Sequence, residues 1–177
     1  MRKAIVPIFI VLFVFCLFSC KQSKVDYEPY ISFSAFLRNP VFSSVKQDSI
    51  VGCQDSVNLV YDETKNLFLA DTLMVNDTVV LLAGFGGRGN DLVSVSVSAD
   101  TSKLKIWYEM SSDILRVLTD ESDPAAGEWV FKGGYNYVMF PVWYVARKAG
   151  SSNLVFNVKS DSQYSPVKVT VVQPVKE

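Results

Sequence analysis

An all-β fold, an antiparallel β-sandwich of about nine short strands with at most one short helix, is what this sequence predicts. Two observations carry the expectation. Short runs of alternating apolar and polar residues recur along the chain, and Gly, Pro, Asn or Asp separates them every eight to twelve residues or so. Helical periodicity shows at one place only, residues 111–118.

The first run, residues 30–37, follows Pro29 and alternates Ile31, Phe33, Ala35 and Leu37 against Ser32 and Ser34, with Asn39-Pro40 expected to end it. Residues 49–51, 56–61 and 67–70 are short β-rich pieces whose pairing is not legible. Residues 71–75 and 78–83 flank Asn76-Asp77 and read as a hairpin or a kinked strand. In residues 91–99, Val93, Val95, Val97 and Ala99 alternate with Ser94, Ser96 and Ser98, one face for the core and one for water. After residues 104–108, Ser111 or Ser112 caps a turn or two of helix carrying Ile114, Leu115, Val117 and Leu118. Residues 120–127 form a loop, and strands follow at 129–131, 135–146, 153–159 and 167–172. Within 135–146, Tyr135, Tyr137, Met139, Pro141 and Trp143 fall on one face, and Val138, Phe140, Val142 and Tyr144 on the other. Pro141 cannot donate a ladder bond, so this strand should lie at an edge or be bulged there. The number and spacing of strands favour an immunoglobulin-like sandwich, although strand count alone does not separate stacked sheets from a closed barrel.

Ahead of this domain lie Arg2-Lys3 and an apolar run over residues 4–18, the charged and hydrophobic parts of a secretory signal; the run is 15 residues, short of the ~20 that a spanning helix needs. The reading is therefore a signal peptide over 1–19, a tether over 20–28 and one domain over 29–177. Without the signal, 17 Lys and Arg less Arg2 and Lys3 leave 15 cations against 18 Asp and Glu, a balance of −3 with no basic cluster, which argues against a nucleic-acid partner.

Catalytic chemistry is narrowed by composition. The chain contains no histidine, which removes the usual general base and the commonest metal ligand, and no cofactor is expected. Of three cysteines, Cys16 leaves with the signal and Cys20 heads the tether, so with the Cys20 thiol occupied Cys53 has no intrachain partner and is expected to be buried. Gly84-Phe85-Gly86-Gly87-Arg88-Gly89 has the spacing of a dinucleotide loop, but a strand follows it where that mechanism needs a helix, so it reads as a connector. Ser43-Ser44-Val45-Lys46 and Ser165-Pro166-Val167-Lys168 match Ser-x-x-Lys without the companion elements of penicillin-recognising enzymes. The enzyme class that survives is a two-carboxylate glycoside hydrolase drawing on Glu109, Asp113, Asp120, Glu121, Asp123 or Glu128. Asp120-Glu121-Ser122-Asp123 offers oxygens of the kind calcium takes but fits no EF-hand spacing, and no metal is assigned.

Leu17-Phe18-Ser19-Cys20 resembles the lipobox of bacterial lipoproteins, which implies cleavage before Cys20 and lipid on its thiol. Asp48-Ser49-Ile50, Asp55-Ser56-Val57, Asp71-Thr72-Leu73 and Asp77-Thr78-Val79 resemble the Asp-Ser/Thr-aliphatic sites at which Bacteroidetes O-glycosylate exported proteins, which would place glycans on Ser49, Ser56, Thr72 and Thr78. The alternative reading is structural: an aspartate leaving a turn before a β-former is how strands begin. Lipobox, β pattern and tripeptides together resemble the small Bacteroidetes lipoproteins. The resemblance implies an envelope protein held by lipid to the outer membrane, on the periplasmic or surface side, as a non-catalytic module for a glycan or an envelope protein. Tyr135, Tyr137 and Trp143 are the candidate contact residues, because Tyr and Trp rings suit sugars and protein surfaces alike. The rivals are the two-carboxylate hydrolase and a fimbrial-type assembly subunit.

Overall fold

The computed structural model describes residues 26–44 and 49–177. The signal, Cys20, the first part of the tether and Asp48 lie outside the described residues. Among those described, twelve strands and one helix form two sheets packed face to face. The first sheet contains β1 (Tyr30–Phe42), β2 (Ile50–Ser56), β6 (Thr78–Gly86), β8 (Leu104–Tyr108) and β10 (Tyr137–Ala146), in the order β2-β1-β6-β10-β8. The second contains β3 (Leu59–Asp62), β4 (Leu67–Ala70), β5 (Leu73–Met74), β7 (Leu92–Ala99), β9 (Glu128–Val130), β11 (Gly150–Ser160) and β12 (Val167–Lys176). Its order is β3-β4-β12-β11-β7-β9, with β5 also beside β12. Pairing is antiparallel except where β4 and β5 run parallel to β12.

Leaving out β2 to β5 and β9, the sheets become β1-β6-β10-β8 against β7-β11-β12. This is the four-on-three strand order of an immunoglobulin constant-type sandwich, with β11 and β12 as its closing hairpin. A 43–77 excursion is inserted between the first two frame strands, and it adds one strand to the outside of β1, two beside β12 and a third beyond β4.

The core follows from alternation. Leu154, Phe156 and Val158 of β11 meet Val138, Phe140, Val142 and Tyr144 of β10 in one buried cluster, and Trp129 of β9 packs against Tyr108 and Phe140 at 4.9 and 4.7 Å. One polar pair is sealed inside: the Tyr144 hydroxyl donates to Gln173 Oε1 at 2.8 Å, and Gln173 Nε2 donates to the Asp71 carbonyl at 2.7 Å. Burial raises the Tyr144 hydroxyl well above its ordinary pKa of 10.0. It pushes Tyr108, which donates to the Val97 carbonyl, up to about 12.

Several expectations are corrected. The β-sandwich is as expected, with twelve strands among the described residues where about nine were counted, four of them the short runs of the excursion. β1 does not end at Asn39-Pro40; it continues to Phe42, since β2 pairs with it from Leu37 onward and Pro40 lies in that edge pairing opposite Cys53. Residues 71–83 are neither a hairpin nor a kinked strand: β5 lies on the second sheet, Asn76 turns with φ 76°, and β6 starts on the first sheet. The glycine stretch is connector only in part, because Gly84 to Gly86 belong to β6 with Phe85 in the core. The helix α1 (Ser112–Arg116) is as expected, capped when Ile114 N–H donates to Ser111 Oγ. Cys53 is a free thiol, half-buried rather than buried, because its strand is the outermost of the first sheet.

Candidate functional site

The outer face of the first sheet holds a groove that several strands build together. Its geometry begins with a bulge. Ala35, at φ 52°, is an extra residue in β1, so the register against β6 shifts between Ser34 and Phe36. Simple alternation would put Leu37 with Ile31 and Phe33. The bulge instead brings Phe36 inward, 8% exposed, and Leu37 into line with Val80 and Trp143 on the outside.

β10 supplies the next wall. Trp143 is only 5% exposed although it faces away from the core. It is covered from both sides, by Phe42 at 5.8 Å and 20° and by Trp107 at 5.9 Å and 10° between near-parallel rings. Its indole N–H is buried with no partner. Beside this stack opens a groove of about 450 Å³. Leu37, Val80, Leu82, Pro141 and Trp143 form its base, Phe42, Ile50 and Ala35 its sides, and Glu109 its one charged group.

Pro141 lies in a strand flanked on both sides, contrary to the edge or bulge expected, yet the physical objection is met locally. β8 pairs only with Val142 to Ala146, and beyond it Glu109 N–H donates to the Pro141 carbonyl at 3.3 Å. The missing proline N–H therefore points past the end of β8, where no ladder bond is lost.

The three aromatic candidates do not converge. Trp143 lies in the groove. Tyr137, 43% exposed, stands on the same outer face but three rows away, level with Gly86 and Tyr30. Tyr135, 42% exposed, precedes the strand, and its carbonyl accepts from Leu92 N–H. Gly84 and Gly86 are needed there for close approach: a Cβ on Gly84 would lie 2.6 Å from the Tyr137 hydroxyl, and one on Gly86 would run into the Tyr30 ring.

The four hydroxyl candidates are dispersed as well. Ser56 is exposed at the end of β2, whereas Ser49, Thr72 and Thr78 are partly covered. Their aspartates are structural where described: Asp55 pairs with Arg38 at 3.0 Å, Asp71 accepts from Asn58 N–H and Nδ2, and Asp77 accepts from Met74 N–H and Asn39 Nδ2. Of the six acids considered for hydrolysis, Glu109 alone lines the groove. Among the described residues no group of three or more Cys, Asp or Glu converges as a metal site would need. Sequence reasoning missed Phe42, Ile50 and Trp107, which sit on three different strands. No local pattern marks them; only the strand order β2-β1-β6-β10-β8 brings them to one face.

No family model and no curated protein matches this chain. Solved structures resemble it loosely. A family 123 glycoside hydrolase from Clostridium perfringens aligns at TM-score 0.40 and 13% identity over 85% of this chain, which spans only 28% of the hydrolase chain. A DUF4466 family protein from Parabacteroides merdae aligns at 0.33 and 14% identity, covering 64% of this chain and 42% of that one. The PapD-like domain 7 of human CEP192 aligns at 0.34 and 9% identity, covering 78% and 99%. The strand order, not these likenesses, defines the fold.

Proposed function

We propose that the chain is a lipid-anchored, non-catalytic module of the bacterial envelope, held through Cys20 to the outer membrane, whose outer groove takes an apolar segment of a partner protein. The observation that carries the reading is the groove's composition: eight apolar residues and one carboxylate. A saccharide presents many hydroxyls and calls for several fixed polar groups. A protein segment with apolar side chains suits a mostly apolar lining, and contiguous exposed apolar surface of this kind marks interaction sites. Glu109 at the rim favours a partner with a cation beside its apolar residues. A two-carboxylate hydrolase finds less support, since the lining supplies a single acid.

The test uses photo-crosslinking residues in the intact cell envelope, placed at Phe42 and Ile50 and, as a control, at the exposed Lys168 on the second sheet. One discrete partner captured at Phe42 and Ile50, absent at Lys168 and lost when Glu109→Lys is added, supports the reading. Retention on a glycan array that Phe42→Ser abolishes would overturn it in favour of a saccharide. Phe42 is 47% exposed, so its replacement reports binding more cleanly than Trp143→Ala, which also unpacks the outer face.

A further inference from the structure

The opposite end of the sandwich carries a different surface. Three loops meet there, 87–91, 132–136 and 160–166, and they are tied to one another. Asp91 N–H donates to Asp161 Oδ1, Asp161 N–H to the Asp91 carbonyl, Gly134 N–H to Asp91 Oδ2, and Gly87 N–H to the Asn136 carbonyl, all at 2.8–2.9 Å. The start of the described chain is bound to the same end: Gln163 N–H donates to Asp26 Oδ2 at 2.9 Å, and Asn90 Nδ2 to the Tyr27 carbonyl at 3.2 Å.

Tyrosine collects on it. Five tyrosines are exposed among the described residues, and four of them, Tyr27, Tyr135, Tyr137 and Tyr164, lie on or beside these loops at 42–48% exposure. Tyr61, on β3, is the fifth. The carboxylates of Asp26, Asp91 and Asp161 each accept from a backbone amide in the same loops, and Asp161 keeps exposed surface there. Arg88 lies over the Tyr30 ring at 5.3 Å beside them.

From this we infer that the tyrosine end is a membrane-contact surface, seated in the headgroup layer of the bilayer that holds the lipid anchor. The inference rests on Cys20 carrying that lipid. Cys20 precedes Asp26 by six residues, and a chain of that length reaches at most about 20 Å. The anchor therefore cannot hold the far end of the sandwich to the bilayer while Asp26 stays on this one. Tyrosine has an apolar ring and a wet hydroxyl, which is why it concentrates at membrane–water interfaces. A tether this short keeps the rings at high effective concentration beside the lipid, so individually weak contacts suffice. Tyr135 and Tyr137 thereby separate from Trp143: they face lipid headgroups, while the groove is presented away from the membrane at the other end of β1.

The test uses the full-length lipoprotein floated on vesicles of phosphatidylethanolamine and phosphatidylglycerol, with a site-specific protease sequence placed in the tether. Hydroxyl-radical labelling is read by mass spectrometry before and after release. Tyr27, Tyr135, Tyr137 and Tyr164 are expected to label several-fold more slowly on vesicles than after release. Met74 and Phe42, exposed at the far end, should label equally in both. Equal labelling of the tyrosines in the two states overturns the inference. Lipid mass on Cys20 is measured separately, so the anchor and the orientation fail independently. For a chain that lacks the mass, the same labelling is read on the Cys53→Ser variant coupled through Cys20 to a maleimide phospholipid.

Discussion

The seven frame strands and the 43–77 excursion are built from the same secondary structure and are held by different forces. In β6 and β10 nearly every residue is covered on at least one side of the sheet, and Leu81, Val142 and Tyr144 have no exposed surface. In β2 six of seven residues are exposed, and β3 contains Val60 at 62%. The excursion contributes a few apolar anchors, Val57, Ala70 and Leu73. Beyond these, and Leu59, Phe68 and Val75 packed against the core edge, it is held by the backbone ladders of β2 on β1 and of β4 and β5 on β12, and by polar side chains at its junctions with the frame. Asn39, with φ 48°, donates from Nδ2 to Gln54 Oε1 and Asp77 Oδ1 while its own oxygen accepts from Thr78 N–H. Area removed from water stabilises the frame; ladder pairing and the junction hydrogen bonds locate the excursion, with less apolar burial behind them.

The largest effect that would sharpen this contrast is expected from Phe140→Ala. Phe140 is 1% exposed and packs against Phe85 at 5.4 Å and Trp129 at 4.7 Å, so truncation should cost about 3–5 kcal/mol in chemical denaturation. A loss below about 1 kcal/mol would mean that the two sheets do not share a close-packed core.

Alkaline pH comes next. Tyr108 and Tyr144 hold their protons more tightly folded than unfolded, because burial disfavours the phenolate, with Tyr108 raised from 10.0 to about 12. Above pH 10.0 the unfolded chain therefore binds fewer protons than the folded one. Stability should stay level with respect to these groups below that pH and fall as pH rises beyond it. Thermal melts across this range check the sign, and Tyr144→Phe should flatten the decline. A midpoint that rises with alkalinity would contradict the burial of both rings.

A smaller loss is expected at the junction. Asn39→Ala removes the acceptor of Thr78 N–H and two donated bonds, for about 1–3 kcal/mol, with proteolysis of 43–77 accelerated ahead of global unfolding. Asn39→Gly, which keeps the backbone conformation easy and removes the same side chain, separates φ strain from lost hydrogen bonds. The smallest effect belongs to Val51→Ser on the exposed excursion, 66% exposed, where a change within about 0.5 kcal/mol is expected. A larger one would indicate that β2 is covered.

Legibility in the sequence follows the same division. The strands at 91–99 and 153–159 were recognisable because period-two alternation is what a sheet with one buried face imposes. The inward set of the first is corrected at its start: the register against β11 shifts between Lys159 and Ser160, so Leu92 is buried in the core and Val93, expected there with Val95, Val97 and Ala99, is not. The inward face of 135–146, with Val138, Phe140, Val142 and Tyr144, was recognisable for the same reason. The excursion was not, since its runs are short and its fastening depends on Asn39 meeting Asp77 and Gln54 across the sheet. The groove was half legible: Trp143 and Pro141 stand in a conspicuous aromatic stretch, but Leu37 reaches them only through the Ala35 bulge, and a one-residue insertion reverses every later side chain in a strand.

By itself the sequence determined the all-β class, most of the turns, the short helix at 112–116 and the inward face of 135–146 and 153–159, because each depends on residues within a few positions of one another. Strand order, the transfer of β5 and β6 to opposite sheets, the outer stack of Phe42, Trp143 and Trp107, and the gathering of Tyr27, Tyr135, Tyr137 and Tyr164 at one end were decided only in three dimensions. Each of these joins residues tens of positions apart, and what brings them together is the shared demand of two sheets to bury one face each, a constraint that no local stretch of chain contains.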